Sequence, residues 1–204
     1  MAAHGAAAAV HDEQHHSSTG VDNTKMAMWA FLGSECLFFG SLISTYLLYR
    51  NRVLDGPRPH EIYDIPYTSV SSFVLLMSSL TMVLALAAIQ RRDMRGCRIW
   101  LLATAMLGMI FIGGQIYEFT TFVEEGLKLS TSTFGSSFFV MTGFHGAHVT
   151  VGIFMLLALF GMSMFGRLDD ADGPRKVELI GLYWHFVDIV WIVIFTVVYL
   201  VPTN

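Results

Sequence analysis

The stretch FGSSFFVMTGFHGAHVTVGIFMLLALFGMSMF, residues 134–165, contains no Asp, Glu, Lys or Arg. About 18 or more predominantly apolar residues suffice to cross the roughly 30 Å hydrocarbon core of a bilayer as an α-helix. Hydrocarbon offers no hydrogen-bonding partners to the backbone, and a helix supplies these partners from within its own segment. The stretch therefore predicts a transmembrane helix, and its excess length requires the helix to tilt or to project from the bilayer.

Four other stretches share this character. Residues 67–89 and 99–117 also contain no Asp, Glu, Lys or Arg, and residues 26–49 and 179–200 each contain a single carboxylate. Only 14% of the 204 residues are charged, whereas soluble domains carry about 25%. We therefore predict an all-α, polytopic membrane helical bundle with five transmembrane helices, at about residues 26–49, 67–89, 99–119, 134–165 and 177–201.

The first 24 residues differ in composition from the rest of the chain. They are rich in Ala, His and Gly and contain few large apolar side chains, a composition typical of disorder. The predicted organisation is thus a disordered His- and Ala-rich tail at residues 1–24 and one transmembrane domain at residues 25–204.

The placement of Lys and Arg predicts the orientation, because these residues are enriched in cytoplasmic loops. If the N-terminus lies inside, four of the twelve fall in outside segments, namely Arg50, Arg52, Arg58 and Lys128. The other eight fall in inside segments, namely Lys25, Arg91, Arg92, Arg95, Arg98, Arg167, Arg175 and Lys176. The excess predicts a cytoplasmic N-terminus and a C-terminus on the outer face.

Glu35 lies about nine residues into the first predicted span, roughly 13 Å below its start at 1.5 Å per residue. A charge in hydrocarbon is costly, so we expect an ionisable residue there to have a structural or functional role. One interpretation is a neutral carboxyl that is hydrogen-bonded to a neighbouring helix. The other is a group that exchanges protons or supports the proton path of a partner.

Other polar residues stand three positions apart, a spacing that places them on one helix face. The pairs and rows are Gln115 with Glu118 in the third span, Thr142 with His145 and His148 in the fourth, and His185 with Asp188 in the fifth. They predict one buried polar seam where these spans meet, in which Asp188 holds a histidine in one tautomer. Paired histidines can also bind a metal or haem, but no third ligand motif accompanies them, so we predict no metal in this chain.

Small residues are expected at helix contacts in lipid, where close approach drives association. Ser71, Ser72, Ser78, Ser79, Gly113, Gly114, Gly143 and Ala147 are the candidates. The sequence shows no nucleotide-binding loop, no nucleophile motif and no basic stripe for nucleic acid. It therefore predicts no catalytic centre of its own and no nucleic-acid partner.

Two C-terminal motifs, FHGAHVTVG (residues 144–152) and LYWHFVDIVWIVIFTVVYL (residues 182–200), closely resemble subunit III of the haem-copper terminal oxidases, the cytochrome c oxidase subunit 3 family. The resemblance continues in SECLFFGSL (residues 34–42), QIYEF (residues 115–119) and FGSSFFVMTG (residues 134–143). It covers all five spans in order and matches the short bacterial form, which lacks the two N-terminal helices of the longer version.

The resemblance implies a non-redox accessory subunit of a proton-pumping oxidase in a bacterial plasma membrane, which reduces oxygen to water in aerobic respiration. Haem and copper are then expected in partner subunits I and II, with no cofactor in this chain and with bound phospholipid. The family's intramembrane carboxyl corresponds to Glu35, its His/Asp motif to His185 and Asp188, and its paired histidines to His145 and His148. Their implied role is to support subunit I and its sustained proton uptake.

Three alternatives remain open at this point. Subunit III of a quinol oxidase looks similar, although Glu rather than Asp at position 35 favours the cytochrome c branch. A member of the superfamily associated with nitric oxide reductase is the second alternative. The third is a small ion-coupled transporter that uses Glu35, Glu118 and Asp188 as a relay.

Overall fold

The computed structural model describes residues 22–50, 65–124 and 133–201, and every regular element in these ranges is helical. The helices are α1 (Asn23–Tyr49), α2 (Ile65–Gln90), α3 (Met94–Glu124), α4 (Thr133–Met164) and α5 (Gly173–Phe195), and a π-helical turn, Thr196–Leu200, continues α5. Five helices are long and apolar enough to cross a membrane. The predicted all-α class and five membrane spans are confirmed.

The helices extend beyond the predicted spans. α3 begins at Met94 rather than residue 99 and ends at Glu124 rather than residue 119. The prediction starts this span directly after the charged residue Arg98, but the helix already runs through the interface, where long charged side chains reach water. Most of the predicted tail, residues 1–21, lies outside the described residues. α1 already begins at Asn23, where the side chain of Asp22 accepts a hydrogen bond from the Thr24 amide at 2.9 Å.

Four of the helices form a closed ring in which α2 packs on α3, α3 on α4, α4 on α5 and α5 on α2. α1 lies outside this ring against α4 and α5. Its buried residues are Leu32, Phe39 and Tyr46, which recur every seven positions. This narrow apolar seam is the pattern of a helix that contacts its neighbours along one line. Most of the remaining α1 side chains are exposed.

Trp184 of α5 is almost completely buried in the ring and passes close to two glycines. A Cβ on Gly108 of α3 would lie 2.7 Å from Trp184 Cη2, and a Cβ on Gly152 of α4 would lie 2.7 Å from Trp184 Cε3. The indole Nε1 donates a hydrogen bond to Ser78 Oγ of α2 at 3.0 Å. One side chain therefore locks all four helices of the ring together.

The small residues predicted at contacts divide into two groups. Ser72 and Ser78 are buried, as expected for packing positions. By contrast, a Cβ added to Gly113 or to Gly143 would meet no atom of the described residues within 4 Å, so these two glycines make no close contact with another described helix. The sequence could not separate these glycines from Gly108 and Gly152, because only the position of Trp184 makes the difference.

Charged residues join the helix ends at one face of the bundle. Lys25 Nζ of α1 lies 2.7 Å from Glu178 Oε1 of α5, and Arg175 Nε lies 2.7 Å from Asp22 Oδ2. Near the start of α3, Arg98 Nη2 donates to the Ser163 carbonyl at the end of α4. The starts of α1, α3 and α5 therefore share a face with the end of α4, as required when successive helices alternate in direction.

Candidate functional site

Glu35 of α1 and His148 of α4 form a polar contact between α1 and the four-helix ring, away from the charged helix ends. Glu35 Oε2 lies 3.2 Å from His148 Nε2. The other ring nitrogen, Nδ1, lies 2.7 Å from the Phe144 carbonyl. A carbonyl only accepts hydrogen bonds, so Nδ1 carries a proton. Nε2 therefore faces Glu35 Oε2, and the contact is favourable when one further proton is present, either on a neutral carboxyl beside the imidazole or on an imidazolium beside a carboxylate. In both of these states the pair carries no net charge.

Aromatic groups surround this pair. Phe39 meets the His148 ring edge-on with centroids 5.0 Å apart, and Tyr183 Oη donates to the His148 carbonyl at 3.0 Å. The side chains of Glu35 and His148 are nevertheless 18% and 19% exposed in the isolated chain. The pair therefore lies at the edge of the protein, where a neighbouring molecule can reach it.

Asp188 and His185 of α5 are joined through a serine of α2. Ser79 Oγ donates to Asp188 Oδ2 at 2.6 Å, and His185 Nδ1 lies 3.1 Å from the same hydroxyl. The hydroxyl has one proton, which it gives to the carboxyl, so His185 Nδ1 is the donor in the second contact. Asp188 thus orients His185 indirectly, through Ser79, rather than by the direct contact that the sequence predicted.

Glu118 lies near the C-terminal end of α3, far from the charged face of the bundle. Its Oε1 accepts hydrogen bonds from Thr68 Oγ1 of α2 at 2.7 Å and from Tyr199 Oη of the π-helical turn at 2.9 Å. All three residues are buried. The carboxyl therefore ties α2, α3 and the C-terminal turn together.

His145 and Gln115 have a different environment. His145 is fully buried, and its ring stacks on Trp191 with centroids 4.9 Å apart. Neither of its ring nitrogens has a hydrogen-bonding partner among the described protein groups, and the same holds for Gln115 Oε1.

The prediction of one continuous polar seam between the third, fourth and fifth spans is wrong. Gln115 and Glu118 share a face of α3 and are both buried, but His148 turns to α1, whereas His185 and Asp188 turn to α2. Hydrogen bonds to other helices decide these directions, and spacing within one helix does not reveal them.

Three residues that contact the predicted carboxyls are not among the predicted site residues. They are Thr68, Ser79 and Tyr199. The sequence assigns Ser79 to helix packing on the basis of its size alone. The signal that could have found it is the hydroxyl itself, since a buried carboxyl needs donors and a serine or threonine on the facing helix supplies one.

The described residues hold no group of three or more His, Cys, Asp or Glu side chains placed to share a metal ion. The paired histidines also turn apart. His145 is enclosed by the rings of Phe39, Phe111 and Trp191, whereas His148 meets Glu35. The donor set of these histidines therefore does not fit a shared metal centre.

Comparison with known proteins covers nearly the whole chain. The family profile described as cytochrome c oxidase subunit III matches residues 8–202. The quinol oxidase subunit 3 of Bacillus subtilis (strain 168) is 40% identical over 187 residues, which is 92% of this chain and 91% of that protein. The cytochrome c oxidase subunit 3 of Bacillus sp. (strain PS3) is 39% identical over 178 residues, 87% of this chain and 86% of that protein.

A third relative has a similar level of identity. The cytochrome bo(3) ubiquinol oxidase subunit 3 of Pseudomonas aeruginosa is 38% identical over 191 residues, 93% of this chain and 90% of that protein. The similarity therefore extends through every helix that carries the polar contacts described above.

Proposed function

Because this chain belongs to the cytochrome c oxidase subunit III family, we propose that it is the non-redox accessory subunit of a proton-pumping haem-copper terminal oxidase. The oxidase reduces oxygen to water in aerobic respiration, and the chain is an enzyme component only within that complex. One observation carries the proposal: the family match, residues 8–202, includes all five membrane helices. Proteins named as oxidase subunits align with 87% or more of the chain.

The redox centres belong to partner subunits in this proposal. Haem and copper would be held by subunits I and II, where they accept electrons and bind oxygen. Support comes from the donor set of this chain, in which His145, His148 and His185 each face a different neighbour. The three histidines therefore do not converge on one ion.

The proposed electron donor is cytochrome c, with quinol as the alternative. Relatives named for each donor are similar to this chain to nearly the same extent, at 39% and 40% identity. Subunit III lies outside the electron path in either case. The donor is therefore a property of the partner subunits, and it is to be read from them.

The Glu35–His148 pair is the proposed functional contact of this subunit. It lies at the protein edge, can hold a transferable proton and connects the outlying helix α1 to the ring. Such a pair can support proton uptake by a neighbouring subunit without any redox group. Subunit I, together with membrane phospholipid, is the proposed neighbour at this edge.

An ion-coupled transporter is less well supported by the geometry. A relay through Glu35, Glu118 and Asp188 requires these carboxyls to be linked. Instead, Glu35 contacts α4, Asp188 contacts α2, and Glu118 is held by α2 and the C-terminal turn. Each carboxyl is bonded within its own cluster among the described residues.

The proposed location is the bacterial plasma membrane, with the N-terminus in the cytoplasm. The support is the distribution of Lys and Arg, together with the exposed arginines Arg91, Arg92 and Arg95 at the turn between α2 and α3. Labelling of single introduced cysteines with a membrane-impermeant reagent in intact cells tests the orientation. Labelling of the α2–α3 turn from outside would reverse it.

Mild purification through a tag on this chain tests the proposed function. We expect co-purification of haem-containing subunits and oxygen consumption with reduced cytochrome c. Oxygen consumption with quinol but not with cytochrome c would assign the complex to the quinol oxidases. Absence of haem, together with ion transport by the isolated chain in liposomes, would reject the oxidase assignment.

A further inference from the structure

His145 occupies the centre of the bundle, with none of its surface exposed. Besides stacking on Trp191, its ring meets Phe111 and Phe39 edge-on, with centroids 6.0 Å and 6.4 Å away. Helices α1, α3 and α5 thus each contribute one aromatic side chain that contacts the imidazole. Trp191 cannot satisfy the imidazole, because its Nε1 donates to Ser72 Oγ at 2.9 Å.

The hydrogen-bonding capacity of this imidazole is unused among the described residues. A neutral imidazole has one N–H donor and one acceptor nitrogen. Both nitrogens of His145 are buried without a hydrogen-bonding partner among the described protein groups. The large majority of buried side-chain polar atoms in proteins are paired, either with protein or with ordered water. We therefore expect His145 to have a partner other than the described side chains, such as an ordered water.

Gln115 of α3 supplies a second unpaired polar atom, close to the residue that follows His145 in α4. Its Oε1 is buried without a protein partner among the described residues. A Cβ built on Gly146 would lie 3.3 Å from this oxygen, so the oxygen lies against the residue that follows His145. Gln115 also stands one turn beyond Phe111, whose ring packs on His145. The absence of a side chain at Gly146 leaves space beside the amide.

We propose that His145 and Gln115 bind an internal water molecule between α3 and α4. The water donates to Gln115 Oε1 and forms its second hydrogen bond with a ring nitrogen of His145. A buried water typically makes two to four such bonds to groups that would otherwise be unsatisfied. The site is independent of the proposed oxidase function, because it depends only on contacts inside this chain.

A structure of the assembly in which the chain purifies tests the site directly, at a resolution that shows ordered water. We expect a water about 2.7–3.2 Å from both a His145 ring nitrogen and Gln115 Oε1. A map in which no water contacts either ring nitrogen overturns the proposal.

A double-mutant cycle tests the bridge in solution. His145→Phe and Gln115→Leu each remove one ligand of the same water, so we expect the double variant to lower the Tm by less than the sum of the two single losses. The control cycle combines His145→Phe with Thr81→Val. Thr81 bonds to Thr104, which is seven residues before Phe111 and about 10 Å along α3.

The control pair is expected to be additive, because distant sites that share no partner act independently. If the His145 and Gln115 losses are as additive as those of the control, the two side chains do not share a water and the proposal is overturned. Assembly with haem-containing subunits is scored separately, so failure of the water site and failure of the oxidase assignment are distinguishable.

Discussion

Glu35 Oε2 of α1 lies 3.2 Å from His148 Nε2 of α4, and the Phe144 carbonyl already occupies the other ring nitrogen. With one further proton present, the pair has the same net charge whether that proton lies on the carboxyl or on the imidazole. A pair without net charge is far less costly in hydrocarbon than a single ion. This explains how an acidic residue is retained in the most exposed helix of the bundle.

Replacement of Glu35 with Gln is expected to preserve assembly. The amide can donate to His148 Nε2 as a neutral carboxyl does, but it has no transferable proton. We therefore expect an assembled complex of normal Tm that loses oxygen consumption several-fold faster during sustained turnover. Ser41→Ala is the matched control, since this exposed hydroxyl donates to the Phe38 carbonyl of its own helix. Parental activity of the Glu35→Gln complex over prolonged turnover would contradict the role of the pair.

Replacement of Asp188 with Ala is expected to destabilise the bundle. It leaves Ser79 without its acceptor and loosens His185, which contacts the same hydroxyl. Loss of one partner of a buried hydrogen bond costs about 1–3 kcal/mol. Thermal unfolding of the purified complex measures the loss. Asp188→Asn, which keeps an acceptor oxygen for Ser79, should be less harmful, and equal stability of the Ala variant and the parent would refute the contact.

Replacement of Gly152 with Ala is expected to cost about 1–3 kcal/mol, the range for overpacking a filled interior. The new methyl group would lie 2.7 Å from a carbon of Trp184, which is buried and cannot move aside. Gly143→Ala on the same helix is the control, since no atom lies within 4 Å of its added carbon. Thermal stability should fall for the first variant alone. Equal Tm values for the two variants would argue against this packing of Trp184.

The ion pair between Lys25 and Glu178 is expected to contribute little to stability. Both side chains are more than one third exposed, at 37% and 35%, and exposed pairs are worth about 0–1 kcal/mol. Lys25→Glu should lower the Tm slightly at low salt by placing two carboxylates together. Combination with Glu178→Lys should restore it. A double variant no more stable than Lys25→Glu alone would show that the two residues do not meet.

The sequence predicted the five spans because long charge-free stretches have a direct physical meaning in a bilayer. It could not predict which helices meet at each polar residue. Glu35 and His148 lie far apart in the chain, and nothing in the spacing of either helix connects them. The seam prediction failed because it assumed that residues on one face of a helix share neighbours. His145 and His148 stand three residues apart, yet His145 faces the centre of the four-helix ring and His148 faces α1.

The position of α1 has a consequence for how such chains can change in length. The ring of α2 to α5 closes on itself, and Trp184 locks it without any contribution from α1. The N-terminal side of the chain can therefore gain membrane helices while the four-helix unit keeps its packing. Variation in helix number among related chains then needs no redesign of the interior, only a new neighbour for one outlying helix.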